Sequence, residues 1–104
     1  MTIITIVSGQ VPENRQQEFE DEFSQFQDRY APDGLINGKL LRDEENTTNY
    51  QIQTLWEERD DFERFREQNT PLPGVALFQK MGSQTTMKTF EVREELIPAV
   101  VESV

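Results

Sequence analysis

The stretch NYQIQTLW, residues 49–56, decides the fold together with EERDDFERFR, residues 57–66, which follows it directly. In the first part Tyr50, Ile52, Thr54 and Trp56 recur at every second position, a period that places their side chains on one face of a β-strand. We therefore predict a strand with one dry face, which ends at the only tryptophan of the chain.

The second part of this stretch has helical spacing. Phe62 and Phe65 lie three positions apart among charged residues, which is typical of a short amphipathic helix. Asp60 and Glu63 have the spacing of a capping box, so we predict that the helix begins near Asp60. Trp56 then lies at a strand-to-helix corner, where an aromatic side chain either closes the end of a core or lines a ligand cavity.

A longer helix precedes this stretch. Pro12 suits the first helical position, and aromatic residues then follow at helical intervals. The spacing predicts a helix over residues 12–30. An aromatic stripe of this kind is more often packed in a core than built into a cofactor site. Its members are Phe19, Phe23, Phe26 and Tyr30.

Three more segments have the composition of strands. Residues 2–7, TIITIV, are β-branched on both faces and predict a strand that is covered on both sides. Residues 35–42 predict a second strand, in which Gly38 marks a β-bulge or a close approach to the backbone. Residues 84–95 predict the last strand of the sheet.

A short helix is predicted over residues 75–81, ended by Gly82. The resulting order, β-α-β-β-α-β with this extra helix before the last strand, is the split βαβ pattern of a ferredoxin-like fold. The predicted fold class is therefore α+β with an antiparallel sheet.

The chain length of 104 residues fits one domain, 1–104, with its core over residues 2–97. Residues 98–104 continue an apolar segment that begins at Leu96, and a segment this apolar is expected to dock on its own or a partner subunit.

The net charge of −10 excludes some partners. Nucleic acid is not expected, because phosphate binding depends on lysine and arginine. The same charge repels anionic membranes, and no apolar run approaches the about 20 residues of a membrane span. Residues 1–7 also lack the basic start of a signal peptide, so we expect a cytoplasmic protein.

The chain contains neither cysteine nor histidine. This absence removes disulfides, thiolate nucleophiles, zinc sites of the Cys/His type, histidine-based triads and a histidine ligand for haem. Only a carboxylate, lysine or tyrosine with a shifted pKa could act as a base near neutral pH. No metal-binding loop is recognisable, and we predict no cofactor.

At this point the chain resembles the antibiotic biosynthesis monooxygenase family over about residues 2–97. The resemblance rests on three places: the Asp33-Gly34 turn into the strand that ends LLRD at 40–43, the strand YQIQTLW at 50–56, and the helix start DDFERF at 60–65. It implies a dimeric α+β barrel, in which two ferredoxin-like subunits pair sheet to sheet and each keeps a cavity between its sheet and its helices.

The resemblance also bears on chemistry. Some members of that family oxygenate aromatic or quinol-like compounds without flavin or metal, because the substrate anion itself reduces oxygen, and others degrade haem. Trp56 matches a tryptophan that ends the third strand and faces the cavity in catalytic members. Ile52, however, stands where a catalytic member has asparagine, and the absence of histidine argues against haem degradation.

These observations favour a cofactor-independent monooxygenase for a small aromatic or quinol-like substrate. Such chemistry needs a dry, orienting pocket and one or two hydrogen-bond donors. Trp56 is the first catalytic candidate, with Tyr50 to orient an oxygen and Thr54 as a further donor. Apolar side chains would form the walls of the pocket. The predicted wall residues are Ile52, Phe23, Phe26, Phe62, Phe65 and Phe78.

Two alternatives remain open at the level of sequence. A non-enzymatic dimer would fill its interior with the same aromatics, or bind a small apolar ligand without reaction. A carboxylate-based hydrolase would use the acidic cluster at residues 57–61, although such a run at a helix start is usually solvated. Whichever function applies, we expect a homodimer formed through the sheet face, because residues 2–7 need cover on both sides.

Overall fold

Four antiparallel strands form one sheet in the computed structural model, which describes residues 1–99. The spatial order of the strands is β2-β3-β1-β4, as expected for a split βαβ arrangement. The predicted α+β, ferredoxin-like fold is confirmed. The strands are β1 Ile3–Gln10, β2 Leu35–Arg42, β3 Asn49–Trp56 and β4 Thr86–Glu91.

Helices pack on one face of this sheet, which we call the inner face. A 3-10 turn at Glu13–Arg15 leads into the first helices, and the others follow β3. The inner face is dry because aromatic side chains of the helices pack against the inward residues of β1 and β3. The helices are α1 Gln16–Ser24, α2 Phe26–Arg29, α3 Arg59–Gln68 and α4 Pro73–Lys80.

The predicted helix over residues 12–30 is interrupted. It divides into the 3-10 turn, α1 and α2, with a break at Gln25. The Ser24 hydroxyl donates a hydrogen bond to the Glu20 carbonyl at 3.0 Å, and a serine bonded back in this way bends a helix. The break turns α2 so that Phe26 and Gln27 face the space above the sheet.

Three local predictions need correction. Helix α3 begins at Arg59 with Glu58 as N-cap and no side-chain capping bond, so the predicted capping box at Asp60 is wrong. The bulge in β2 falls at Ile36, where the register with β3 shifts, and not at Gly38. Strand β4 ends at Glu91, four residues before its predicted end. Gly82 does end α4, with φ at +80°.

Strand β1 has a buried inner face and a half-buried outer face within one copy of the chain. Ile3, Thr5 and Val7 are buried, whereas Ile4 and Ile6 between them are only half-buried. The prediction that both faces are covered is therefore fulfilled by a single chain on the inner face only.

The register of the strands creates a row of small residues across the inner face. Gly38 pairs with Thr54, Thr54 pairs with Thr5, and Thr5 pairs with Thr89. The neighbouring rows are bulky, since one contains Ile52 and Val7 and the other contains Trp56 and Ile3. The side chains in the central row are too short to reach the helices, so space remains above them.

This row separates two hydrophobic clusters. The larger cluster includes Phe19, Tyr50 and Phe78, and the smaller consists of Ile3, Trp56 and Phe62, with partly buried residues packed around each. Each cluster is closed by aromatic side chains from the helices, which joins the sheet to α1 and α4 at one end and to α3 at the other.

The C-terminal segment leaves the sheet after β4. Leu96 is 92 % exposed and Ile97 is 74 % exposed. The predicted docking of residues 98–104 concerns mainly residues 100–104, which lie outside the described residues. Within residues 1–99, no helix has both the length and the apolar character needed to cross a membrane.

Candidate functional site

A cavity of about 340 Å³ lies above the row of small residues, between the inner face of the sheet and the helices. Its floor contains Thr5, Thr54 and Gly38, and its far side is formed by residues of α1, α2, α3 and the start of α4. Its volume is within the usual range for small-molecule sites. The cavity follows from the sequence of the strands, because larger side chains in the central row would fill it.

An arc of aromatic rings forms the wall of the cavity. The ring of Phe23 lies 5.5 Å from that of Phe26, which lies 5.6 Å from that of Tyr30. Tyr30 then lies 5.9 Å from Phe65, and Phe65 lies 5.6 Å from Trp56. These centroid distances are typical of tilted and edge-to-face aromatic pairs. The arc therefore presents a wall of aromatic faces and edges to whatever occupies the cavity.

The polar groups of the floor are linked by hydrogen bonds. The indole N–H of Trp56 donates to Thr54 Oγ1 at 2.9 Å, and Thr54 Oγ1 is in turn hydrogen-bonded to Thr5 Oγ1. The indole proton is thus engaged by the protein. Of the two contacts that Trp56 could make with a ligand, stacking by the ring or donation by the N–H, this arrangement leaves the ring available.

No charged side chain lines the cavity in the described part of the chain. Its remaining polar groups are the neutral side chains of Ser24, Gln27 and Tyr30. Within residues 1–99 no three carboxylates gather in a way that could hold a metal ion. The lining therefore offers no cationic side chain to pair with ionised groups such as the propionates of haem.

Seven of the nine side chains predicted for the site line this cavity. Strand β3 contributes the three inward-facing residues that follow Tyr50, and the helices contribute four phenylalanines. Their common position is explained by the alternation of β3 and by the helical spacing of the aromatics. The seven are Trp56, Thr54, Ile52, Phe23, Phe26, Phe62 and Phe65.

Tyr50 does not line the cavity, which corrects its predicted role in orienting a substrate oxygen. It is buried in the larger cluster, where its ring packs edge-on against Phe19 at 5.3 Å. Its hydroxyl donates to Glu20 Oε2 at 2.9 Å. Burial, and then the hydrogen bond to Glu20, raises the pKa of Tyr50 above its ordinary value, so it remains protonated and is not a base near neutral pH.

Phe78 also lies outside the lining, which corrects its predicted place in the wall. Its side chain is fully buried, with its ring 4.8 Å from that of Phe19. It rests on Gly9, where an added Cβ would lie 2.5 Å from Phe78 Cδ1. Phe78 therefore fills the space over the end of β1 and belongs to the core.

Thr5, Gly38 and Tyr30 line the cavity but were not among the predicted site residues. Thr5 and Gly38 become recognisable only through the register that brings them beside Thr54. Tyr30 belongs to the predicted aromatic stripe, and its place at the end of that stripe could have identified it as a wall residue.

The acidic cluster at residues 57–61 lies at the surface. Glu57, Glu58 and Asp60 are exposed and do not line the cavity. Glu58 pairs with the amino terminus of Met1, and Asp61 pairs with Arg64 at 3.1 Å. These carboxylates form a solvated face at the start of α3, as the simpler interpretation of their sequence predicts.

Known structures share this fold over nearly the whole chain. A variant of SnoaB, a cofactor-independent oxygenase from Streptomyces nogalater, is 22 % identical with a TM-score of 0.75, over 91 % of this chain and 96 % of that one. MhuD, a haem degrader from Mycobacterium tuberculosis, is 20 % identical with a TM-score of 0.68, over 90 % and 98 %. A conserved protein from Methanosarcina mazei is 15 % identical with a TM-score of 0.69, over 86 % and 91 %.

One of two sequence comparisons agrees with this result. Curated protein sequences give no match. The sequence model of the family described as antibiotic biosynthesis monooxygenase matches residues 2–71, which is more than half of the chain and includes β3 and α3. The chain therefore belongs to the antibiotic biosynthesis monooxygenase family.

Proposed function

We propose that the protein is a cofactor-independent monooxygenase that oxidises a small aromatic or quinol-like compound in the cavity. The observation that carries this proposal is the cavity itself, about 340 Å³ in volume, walled by aromatic rings and free of charged side chains among residues 1–99. Membership of the family and the likeness to SnoaB, described as a cofactor-independent oxygenase, support the same reaction class.

The reaction can be written for an aromatic ketone such as anthrone, whose CH2 group lies opposite the carbonyl in the central ring. Molecular oxygen converts that CH2 to a carbonyl, so one oxygen atom enters the substrate while the other leaves with both hydrogens as water. The electrons come from the substrate, and no further reductant is required. The substrate must lose a proton to become electron-rich, and its own acidity must provide for this because no carboxylate, lysine or histidine lines the cavity.

The protein would orient the substrate and exclude water from it. The ring of Trp56 would stack beside the substrate, and the arc from Phe23 to Phe65 would fix the plane of its rings. Exclusion of water protects the reduced substrate and strengthens each hydrogen bond made at the floor. Thr54 would act at the substrate's polar edge, in contact with Trp56.

A ligand-binding protein without catalysis is the second candidate. The observation that favours it is the absence of a carboxylate or lysine from the cavity lining within the described residues. Both candidates bind the same class of molecule, and only the first consumes oxygen.

Oxygen uptake separates the two candidates. With anthrone or a quinol in air-saturated buffer, we expect the wild-type protein to consume oxygen faster than buffer alone. Trp56→Phe removes the indole N–H that holds the Thr54 hydroxyl, and misplacement on this scale should lower the rate about tenfold or more. Thr89→Val, on the same face of the sheet but outside the lining, is the control and should retain the wild-type rate.

Uptake at the rate of buffer alone would refute the oxygenase and leave the ligand-binding protein. Equal rates for the wild type and Trp56→Phe would remove Trp56 from the chemistry while leaving the oxygenase in place.

We also propose that two copies pair through the outer face of the sheet. Ile4, Ile6 and Leu55 are only half-buried there, and Phe90 beside Ile4 is 48 % exposed. None of the outward-facing residues in the paired strands is acidic, although the chain carries a net charge of −10. The outer face also carries Lys39 and Lys88, and a second copy can cover its apolar side chains without opposing carboxylates.

Ile6→Glu tests this pairing, because it places a carboxylate at the centre of the outer face, where burial against a partner would be costly. By light scattering at micromolar concentration, we expect the wild-type protein to have twice the mass of one chain and Ile6→Glu to have the mass of one. Gln17→Glu, which adds the same charge on the exposed surface of α1, should remain paired. A wild-type protein with the mass of a single chain would contradict the proposal.

A further inference from the structure

The hydrogen bonds on the cavity floor leave one polar proton without a partner among the described residues. Trp56, Thr54 and Thr5 carry three polar protons between them, one on the indole nitrogen and one on each hydroxyl. The indole proton goes to Thr54 Oγ1, and one hydroxyl proton lies between the two threonine oxygens. Whichever threonine donates to the other, one O–H remains free to make a further hydrogen bond.

Neither hydroxyl makes another hydrogen bond within residues 1–99, and both threonines line the cavity. Thr5 is only 3 % exposed, so its hydroxyl is nearly withdrawn from water. Both residues lie in the middle of paired strands, where backbone carbonyls already accept bonds from the sheet. Because neither hydroxyl has a further partner among the described residues, the free O–H is available to an acceptor on the cavity side.

We propose that the Thr5–Thr54 hydroxyl pair donates one hydrogen bond to an acceptor oxygen of the ligand, and so selects an aromatic ketone or a phenolate over a plain aromatic hydrocarbon. The proposal depends on the proposed function in one respect only, namely that the cavity is the ligand site. It adds Thr5 to that site as a specificity-determining residue. Trp56 is a positioning residue in this scheme, because its N–H occupies one lone pair of Thr54 and directs the remaining proton outward.

The strength of this hydrogen bond would also depend on the charge of the ligand oxygen. A hydrogen bond donated to an oxyanion is stronger than one donated to a neutral carbonyl. In the proposed reaction the pair would therefore stabilise the enolate or phenolate form of the substrate. This contribution would partly offset the absence of a charged base from the lining.

Fluorenone and fluorene are suitable probes, because they share one tricyclic shape and differ by a carbonyl in place of CH2. Neither probe requires oxygen chemistry, so this test can fail or succeed independently of the oxygen-uptake assay. In the wild-type protein we expect fluorenone to bind about two- to tenfold more tightly than fluorene by equilibrium dialysis. We also expect the carbonyl stretch of bound fluorenone, measured by isotope-edited infrared difference spectroscopy, to shift to lower frequency.

Variants must be built on Trp56→Phe, because loss of Thr54 alone would release the indole proton as a substitute donor. Trp56→Phe keeps the threonine pair and should keep a downward infrared shift, although a smaller one, because the indole N–H no longer holds the Thr54 hydroxyl in place. Adding Thr5→Val and Thr54→Val together, which preserve side-chain shape, should abolish both the shift and the preference for fluorenone. Adding Thr89→Val instead provides a matched control in the same row of the sheet and should change neither.

Several results would overturn the proposal. These are an unshifted carbonyl or no preference for fluorenone in the wild-type protein, failure of the wild-type protein to bind fluorenone, loss of the shift in Trp56→Phe alone, or its persistence in the triple variant. The wild-type spectrum decides the matter by itself if the triple variant does not fold. Circular dichroism melting of each variant establishes which of them are folded.

Discussion

Replacing Gly38 by leucine is expected to lower the affinity of the cavity for an aromatic ligand about 10²-fold while leaving the protein folded. Gly38 lies in the row of small residues and lines the cavity. An added Cβ would lie 3.6 Å from Thr54 Cγ2, which is ordinary contact, so the backbone accommodates a side chain without strain. The rest of a leucine side chain would then occupy the space above Thr54 that the ligand needs.

The measurement is quenching of Trp56 fluorescence by fluorenone, together with thermal unfolding. Gly38→Ala is the matched control, since a single methyl group removes little of the cavity, and its affinity should fall between those of the wild type and Gly38→Leu. The melting temperature should not fall in this series, because a glycine inside a strand is itself unfavourable. Wild-type affinity in a folded Gly38→Leu protein would place the ligand somewhere else.

Phe78→Ala is expected to reduce the free energy of unfolding by about 3–5 kcal/mol. The side chain is fully buried against Phe19 and over Gly9, so its removal leaves a cavity in the core. Because Phe78 does not line the cavity, the ligand affinity of the protein that remains folded should be close to that of the wild type. Chemical denaturation followed by circular dichroism measures the first quantity, and fluorenone titration measures the second.

Phe26→Ala should affect ligand affinity more than stability, the reverse of Phe78→Ala. Phe26 is half-buried and lines the cavity, with its ring in the aromatic arc between Phe23 and Tyr30. We expect a smaller loss of stability than for Phe78→Ala but a loss of ligand affinity of up to about tenfold. If both variants lost stability and affinity in the same proportion, the division of the aromatics into core and cavity wall would be wrong.

Much of the fold could be predicted because local patterns decide it. The alternation from Tyr50 to Trp56 fixes which face of β3 is dry, and the spacing of Phe62 and Phe65 fixes the buried side of α3. Turn residues such as Gly82 mark where elements end. These signals lie within a few residues of one another, so they do not depend on how distant segments meet.

The details of the site could not be predicted in the same way, because they depend on register. Alternation places Tyr50 and Trp56 on the same face but does not say that Tyr50 lies under α1 and outside the cavity. Likewise, the contact between Thr5 and Thr54 joins strands that are far apart in sequence. The small-residue row, and with it the cavity, exists only once Gly38, Thr54 and Thr5 are brought side by side.

The most direct test of the central claim, that this cavity oxygenates an aromatic compound, is product analysis with isotopic oxygen. Anthrone is incubated with the protein under oxygen-18 gas, and the product is examined by mass spectrometry. We predict anthraquinone carrying one oxygen-18 atom, formed faster by the wild-type protein than in buffer, with the excess rate lost in folded Gly38→Leu. Formation of labelled product at the buffer rate, or equally fast by Gly38→Leu, would contradict the account.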